Sequence, residues 1–88
     1  MNHRHRKVLH AFFAHPLASN IHVRDAETLF GELGGEVSHT KSGRMHVVLK
    51  GHSANFPVPH HTFPKAEVMQ IRKFLELCDV DPARDYLL

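Results

Sequence analysis

Residues 41–61 read KSGRMHVVLKGHSANFPVPHH, and the strand within this stretch decides how the rest of the chain is arranged. Positions 45, 47 and 49 are apolar, whereas the alternate positions include His46 and Lys50. Because successive side chains of a strand point to opposite faces, this pattern predicts a strand over residues 45–50 with one buried face. His46 and Lys50 are then expected on the opposite, open face.

Helices and further strands are predicted on either side of this strand. An apolar stripe predicts the first helix, and Gly34-Gly35 supplies the left-handed cap that ends the second. Small and polar residues mark the turns. The complete set is helices at 3–14, 23–33 and 65–78, strands at 36–40, 45–50 and 54–58, and turns at 41–44 and 51–53.

The predicted order is α-α-β-β-β-α, and its turns are too short for crossovers, so the sheet is antiparallel. Each helix has one apolar stripe, which predicts an α+β fold with a three-stranded antiparallel sheet and the helices packed on one face. Pro57 lacks an amide hydrogen, which marks the third strand as an edge or as paired only through its other residues. The 88 residues are interpreted as a single domain: an N-terminal helical extension at 1–20, a core at 21–82 and a tail at 83–88.

The composition indicates a weakly basic protein that is rich in histidine. Ten histidines accompany a formal net charge of +2, which favours a polyanion without distinguishing RNA from DNA or from an acidic protein. No apolar run approaches the length that spans a bilayer, and a signal peptide is not predicted. The single cysteine, Cys78, has the helical spacing of a buried residue, and a cytoplasmic location is expected.

The open face of the predicted sheet collects the candidate functional residues. Alternation places the side chain of Asn55 there beside those of the central strand, and the neighbouring turn and the exit from the sheet add basic groups. An ordinary solvated sheet face is the alternative interpretation. The candidates are Thr40, Lys41, Arg44, His46, Lys50, Asn55, His60 and His61.

Several short features follow one another at a characteristic spacing. They are a Leu-Gly-Gly helix cap at 33–35, a small-residue turn at 41–44, an alternating strand that contains His46, a Val-Pro-His element at 58–60, and a basic helix before Val80-Asp81-Pro82. In this order they resemble the HicA family of small bacterial toxins. The resemblance covers about residues 24–82, and the N-terminal helix looks like the extension of one branch of that family.

The resemblance implies a fold similar to double-stranded-RNA-binding domains and an mRNA interferase that cleaves RNA without a metal or other cofactor. It also implies two partners, mRNA and a HicB-type antitoxin that neutralises the toxin. On this basis His46 and His60 are the expected catalytic residues. The expected RNA-binding residues are Lys41, Arg44, Lys50, Asn55 and His61.

One departure from the family pattern leaves the catalytic position open. The family turn usually reads Gly-small, whereas here Ser42-Gly43 is reversed, and an ungapped alignment on that pair puts Met45 at the histidine position. Alternation favours His46, which lies opposite the apolar set. If Met45 holds the position, the chain would be an inactive member of the family.

Three other functions compete with RNA cleavage. The first is a non-catalytic RNA-binding module, in which lysines and arginines contact the RNA backbone. The second is a protein-interaction module that uses a free sheet edge and Leu87-Leu88. The third is a metal site. The sequence does not favour it, because the histidines lack the spacing of known metal signatures.

Overall fold

The structure is a computed structural model that describes residues 2–87. Its helices and strands, in chain order, are α1 (His3–Phe12), β1 (Ile21–His22), α2 (Val23–Glu32), β2 (Glu36–His39), β3 (Arg44–Leu49), β4 (His52–Pro57), β5 (Thr62–Phe63), α3 (Lys65–Leu77) and α4 (Pro82–Asp85). The predicted α+β class and the three-stranded antiparallel sheet are confirmed. None of the helices in this part of the chain is long and apolar enough to cross a membrane.

Strand β3 is the centre of the main sheet, whose order is β2-β3-β4. Its register places Ser38 and Asn55 on either side of His46. Strand β4 pairs only with β3, so it forms the edge that Pro57 indicated.

The buried face of β3 holds the sheet to the helices. Met45, Val47 and Leu49 are almost completely buried, and Phe56 of β4 joins them. Complete burial of such a side chain contributes about 1.5–3 kcal/mol, so a one-residue shift of β3 would cost several kcal/mol. The alternation of β3 therefore fixes which of its residues remain accessible.

The helices cover one face of this sheet. Helices α2 and α3 contribute Leu29, Phe30, Ile71 and Leu75 to the same apolar core. Helix α1 adds Leu9 and Phe12, and it packs mainly against α2, α3 and α4.

The turn between β3 and β4 is tighter than predicted. It consists of Lys50 and Gly51, whose φ angles are 50° and 82°, and Leu49 pairs with His52 across it. Positive φ at both central positions is typical of a two-residue hairpin turn that matches the twist of its strands. The predicted turn at 51–53 is therefore wrong, and β4 begins at His52 instead of residue 54.

Short elements that the sequence did not predict complete the fold. Strand β1 pairs with β5, and this two-residue pairing connects the start of α2 to the loop that follows β4. Helix α4 begins at Pro82, the last residue of the predicted core, and extends into the predicted tail. Asp81 caps it by accepting hydrogen bonds from the backbone amides of its first turn. His10 Nε2 donates to the carbonyl oxygen of Tyr86 at 2.7 Å, so the tail up to Tyr86 packs against α1. Leu88, half of the predicted Leu87-Leu88 surface, lies outside the described residues.

The close approach of Gly35 to the sheet generates a stability prediction. A Cβ atom at this position would lie 2.7 Å from the carbonyl oxygen of Val48 and 3.1 Å from that of Phe30. Both are backbone atoms, so Gly35→Ala should lower the free energy of unfolding by about 1–3 kcal/mol in urea titrations. Gly31→Ala is the matched control, since nothing lies within 4 Å of its Cβ position and alanine favours the helix. Equal stability of the two variants would contradict this packing.

Candidate functional site

His46 and Asn55 form a hydrogen-bonded pair on the open face of the sheet. Nδ1 of His46 lies 2.9 Å from Oδ1 of Asn55, and the two residues are direct cross-strand partners. An amide oxygen only accepts hydrogen bonds, so Nδ1 of His46 is the donor. Neutral His46 therefore presents Nε2, with its lone pair, as a proton acceptor.

The strand that positions His46 also buries Met45. Met45 has 0% exposure, whereas His46 is half-buried and Asn55 is exposed. A ligand on the open face of the sheet can thus reach His46 and cannot reach Met45. The alternation that predicted this arrangement is confirmed for both residues.

Arg44 shares the open face with His46. It is the first residue of β3 and lies two positions from His46, a spacing of about 7 Å along a strand. Among residues 2–87, its side chain makes neither a hydrogen bond nor an ion pair. The predicted turn at 41–44 is therefore one residue too long, and Arg44 is better placed beside His46 than expected.

The turn that precedes β3 is held together by Thr40. Its hydroxyl accepts a hydrogen bond from the amide of Arg44 at 3.2 Å and contacts the hydroxyl of Ser42 at 3.0 Å. Thr40 thus stabilises the turn. The sequence placed Thr40 in the first predicted strand, but β2 ends at His39, so that placement is wrong. Lys41 is exposed at the tip of this turn.

Lys50 lies away from His46, contrary to the predicted shared face. It belongs to the turn at the opposite end of β3 from Arg44. Burial raises the pKa of the Cys78 thiol, and the positive charge of Lys50 opposes that effect. Hydrogen bonding from Arg84 lowers the pKa of Asp85, and Lys50 adds to that effect. The field of Lys50 therefore acts on the end of the molecule formed by Cys78 and α4.

His60 and His61 line a cleft of about 420 Å³ beside the start of α2. Their ring centroids are 6.3 Å apart. The cleft is lined by Arg4, His22, Val23, Arg24, Asp25, Glu27, His60 and His61. His60 makes no side-chain hydrogen bond in the described part of the chain, and the hydrogen bond of His46 goes to Asn55. The role of His60 as the second catalytic group stays a prediction.

Local contacts explain why the cleft forms. The amide of Val23, the first residue of α2, donates to the carbonyl oxygen of His61 at 2.9 Å. The β1–β5 pairing holds His22 opposite Thr62. Together these contacts hold the histidine loop against the start of α2.

Metal and thiol chemistry find no support in the geometry. Across residues 2–87, no group of three His, Cys, Asp or Glu side chains is arranged to hold a metal ion. Cys78 is 2% exposed, and its Sγ donates to the carbonyl oxygen of Leu49 at 3.4 Å. It packs as the buried residue that its spacing predicted, and its raised pKa does not favour the nucleophilic thiolate.

Sequence reasoning missed two features of these sites. It did not indicate that Asn55 is bonded to His46, and the role of Asn55 as an RNA contact stays a prediction. Only the length of the β3–β4 turn could have revealed that pairing. It also did not connect Arg4, His22 and Arg24 with His60, because β1 and β5 are only two residues long.

Comparison of the chain with protein-family models, with curated proteins and with solved structures returned no match. What the chain does must be inferred from its own residues and their geometry.

The hydrogen bond between His46 and Asn55 predicts a specific tautomer. In neutral His46 the proton should reside on Nδ1, because Asn55 Oδ1 accepts from that atom. Long-range ¹H–¹⁵N NMR spectra of the imidazole above pH 8 would show this, and Asn55→Ala should remove the preference. His52→Gln is the control, since His52 has no side-chain partner in residues 2–87. A proton on Nε2 of His46 in the unmodified protein would contradict the assignment.

Proposed function

We propose that this protein is a HicA-like toxin that binds and cleaves mRNA by metal-independent histidine acid–base catalysis. Its activity would be blocked by a HicB-type antitoxin in the cytoplasm. The proposal combines the resemblance of residues 24–82 with one structural observation, the pair formed by His46 and Asn55 on an open sheet face.

The pair supports catalysis because it orients an imidazole toward a solvent-accessible face. A histidine whose Nδ1 is held as a donor keeps Nε2 available to accept a proton at near-neutral pH. A positioned general base of this kind accelerates a reaction by roughly 10²- to 10⁴-fold. One neutral hydrogen bond contributes about 1 kcal/mol, so the contribution of Asn55 is expected to be nearer fivefold.

In the proposed reaction, Nε2 of His46 removes the proton from a ribose 2′-hydroxyl. The 2′-oxygen then bonds to the adjacent phosphorus, and the bond from phosphorus to the 5′-oxygen breaks. The departing 5′-oxygen takes up one proton, so the products are a 2′,3′-cyclic phosphate and a 5′-hydroxyl. Arg44, two positions from His46 on the same face, would stabilise the negative charge that develops on the phosphoryl oxygens.

Two other residues keep roles in this proposal. Lys41, exposed in the turn before β3, would contact the RNA backbone. His60 is the proposed donor to the leaving 5′-oxygen. His60 lines the cleft, and no hydrogen bond within residues 2–87 joins it to His46, so this second role depends on how the RNA connects the two regions.

A non-catalytic RNA-binding module is the second candidate function. The observation that favours it is the separation of the positive groups, with Arg44 and Lys41 at one end of β3 and Lys50 at the other. Binding without chemistry needs positive charge along the RNA backbone and no oriented base. RNA retention without cleavage products would identify this function.

Substitution of His46 tests the catalytic proposal. His46→Ala should lower the first-order rate of RNA cleavage by at least about 100-fold, since it removes the general base. The rate is measured by gel analysis of a labelled RNA under single-turnover conditions in EDTA. His52→Ala is the matched control, because His52 is an exposed histidine of the same sheet that belongs to β4 and pairs with Leu49.

Both variants should retain the far-ultraviolet circular dichroism spectrum of the unmodified protein. Cleavage by His46→Ala at the unmodified rate would sink the catalytic proposal. An equal loss in both variants would point to a general effect of removing histidine, not to a base at position 46.

A further inference from the structure

We infer that the cleft beside the start of α2 binds a phosphate group and that it is a second contact site, separate from the His46–Asn55 pair. The cleft is lined by two arginines and three histidines, and its volume of about 420 Å³ is in the range of small-ligand sites. The inference rests on the proposed function in one respect only, because RNA is the expected source of the phosphate.

The acidic groups of the cleft are already paired. Asp25 Oδ1 lies 3.1 Å from a guanidinium nitrogen of Arg4. Glu27 Oε1 lies 2.9 Å from Nε2 of His39, on the neighbouring strand β2. Because both carboxylates are paired with a basic side chain, they repel an incoming anion less than unpaired carboxylates would.

The cations and donors that remain face the cleft. Arg24 makes no side-chain hydrogen bond or ion pair within residues 2–87, so its guanidinium is available for a phosphate. The same holds for His22, His60 and His61, each of which carries at least one N–H donor in either charge state. An arginine with several N–H groups around it is the arrangement that recognises phosphoryl oxygens.

The backbone at the start of α2 also favours an anion, in addition to the side chains. His22 occupies the N-cap position of α2, and its side chain makes no capping hydrogen bond to the amides of the first turn. First-turn amides and the helix dipole favour an anion at this end of a helix. The β1–β5 pairing and the bond from the amide of Val23 to the carbonyl oxygen of His61 hold the two sides together before any ligand arrives.

His60 and His61 lie in one loop, and within residues 2–87 neither shares a hydrogen bond with His46. An RNA that reaches both regions would present one phosphate to Arg24 and His61 while a different phosphate reacts at His46. Loss of Arg24 should then weaken binding of RNA and leave the chemical step unchanged. Loss of the base, His46, would instead slow the chemical step, so the two effects distinguish the cleft from the base.

The test is a titration of the full chain, followed by ¹H–¹⁵N NMR at constant pH and ionic strength. Inorganic phosphate is one probe, and a 12-nucleotide RNA with all riboses 2′-O-methylated, which cannot be cleaved, is the other. Saturable shifts should appear at the amides of Arg24, Asp25 and His61. Arg24→Gln should raise the Kd for the RNA about tenfold or more, as expected for a charge-assisted contact.

Lys73→Gln is the matched control, because it removes one positive charge from an exposed position of α3 that does not line the cleft. It should change the Kd by less than threefold. His61→Gln, which preserves the backbone carbonyl that holds Val23, should reduce the shifts at Arg24 while leaving the remainder of the spectrum in place.

Comparison of RNA with a 5′-phosphate and with a 5′-hydroxyl identifies the source of the group. Tighter binding of the phosphorylated RNA would assign a terminal phosphate, and equal binding with the same amide shifts would assign an internal phosphodiester. Absence of saturable shifts at Arg24 and Asp25 with both probes would overturn the inference, as would equal weakening by Arg24→Gln and Lys73→Gln. Phosphate binding in a protein that leaves RNA intact would uphold the cleft and overturn only the catalytic proposal.

Discussion

The arrangement of this protein depends on how β3 is paired and buried. Met45, Val47 and Leu49 anchor the strand to the helices, and a shift by one residue would expose all three. The two-residue turn at Lys50 and Gly51 then sets the pairing of β3 with β4. Burial therefore decides that His46 is accessible, and the turn decides that Asn55 is its partner.

The burial of alternate residues in β3 was predictable from the sequence, because it follows the two-residue period of the strand. Alternation over residues 45–49 identified the buried and open faces of β3 correctly, although Lys50 lies in the turn and not on the open face, and Pro57 correctly marked an edge strand. The turn was less predictable, since positive φ is uncommon for a residue such as Lys50 and the sequence favoured a turn centred on small residues. A turn at 51–53 would have placed Val58, not Asn55, opposite His46.

The cleft could not be predicted because it is built from distant parts of the chain. Arg4, Arg24 and His61 belong to α1, α2 and the loop before β5, and each segment is unremarkable alone. Strands β1 and β5 bring them together, but a strand of two residues carries no periodic signal. A contact between distant segments also holds α1, where His5 Nδ1 lies 2.9 Å from Glu32 Oε1.

Two regions of different chemistry thus result from one small core. The open face of the sheet carries an oriented imidazole with one unpaired arginine nearby, which suits a proton transfer at a phosphate. The cleft carries arginine and histidine donors around paired acids, which suits binding of a phosphate. In the proposed function the first region supplies the base, and the second holds the RNA and supplies His60 as the proposed acid.

The central claim is that an imidazole base, and no metal ion, drives attack of a 2′-hydroxyl on the adjacent phosphate. The most direct measurement is analysis of the 3′ ends produced by the unmodified protein from a defined RNA in excess EDTA. The account predicts 2′,3′-cyclic phosphate ends, and no cleavage at a site where the attacking ribose is replaced by 2′-deoxyribose. Cleavage at the deoxyribose site, ends with a 3′-hydroxyl, or RNA that remains intact would contradict it.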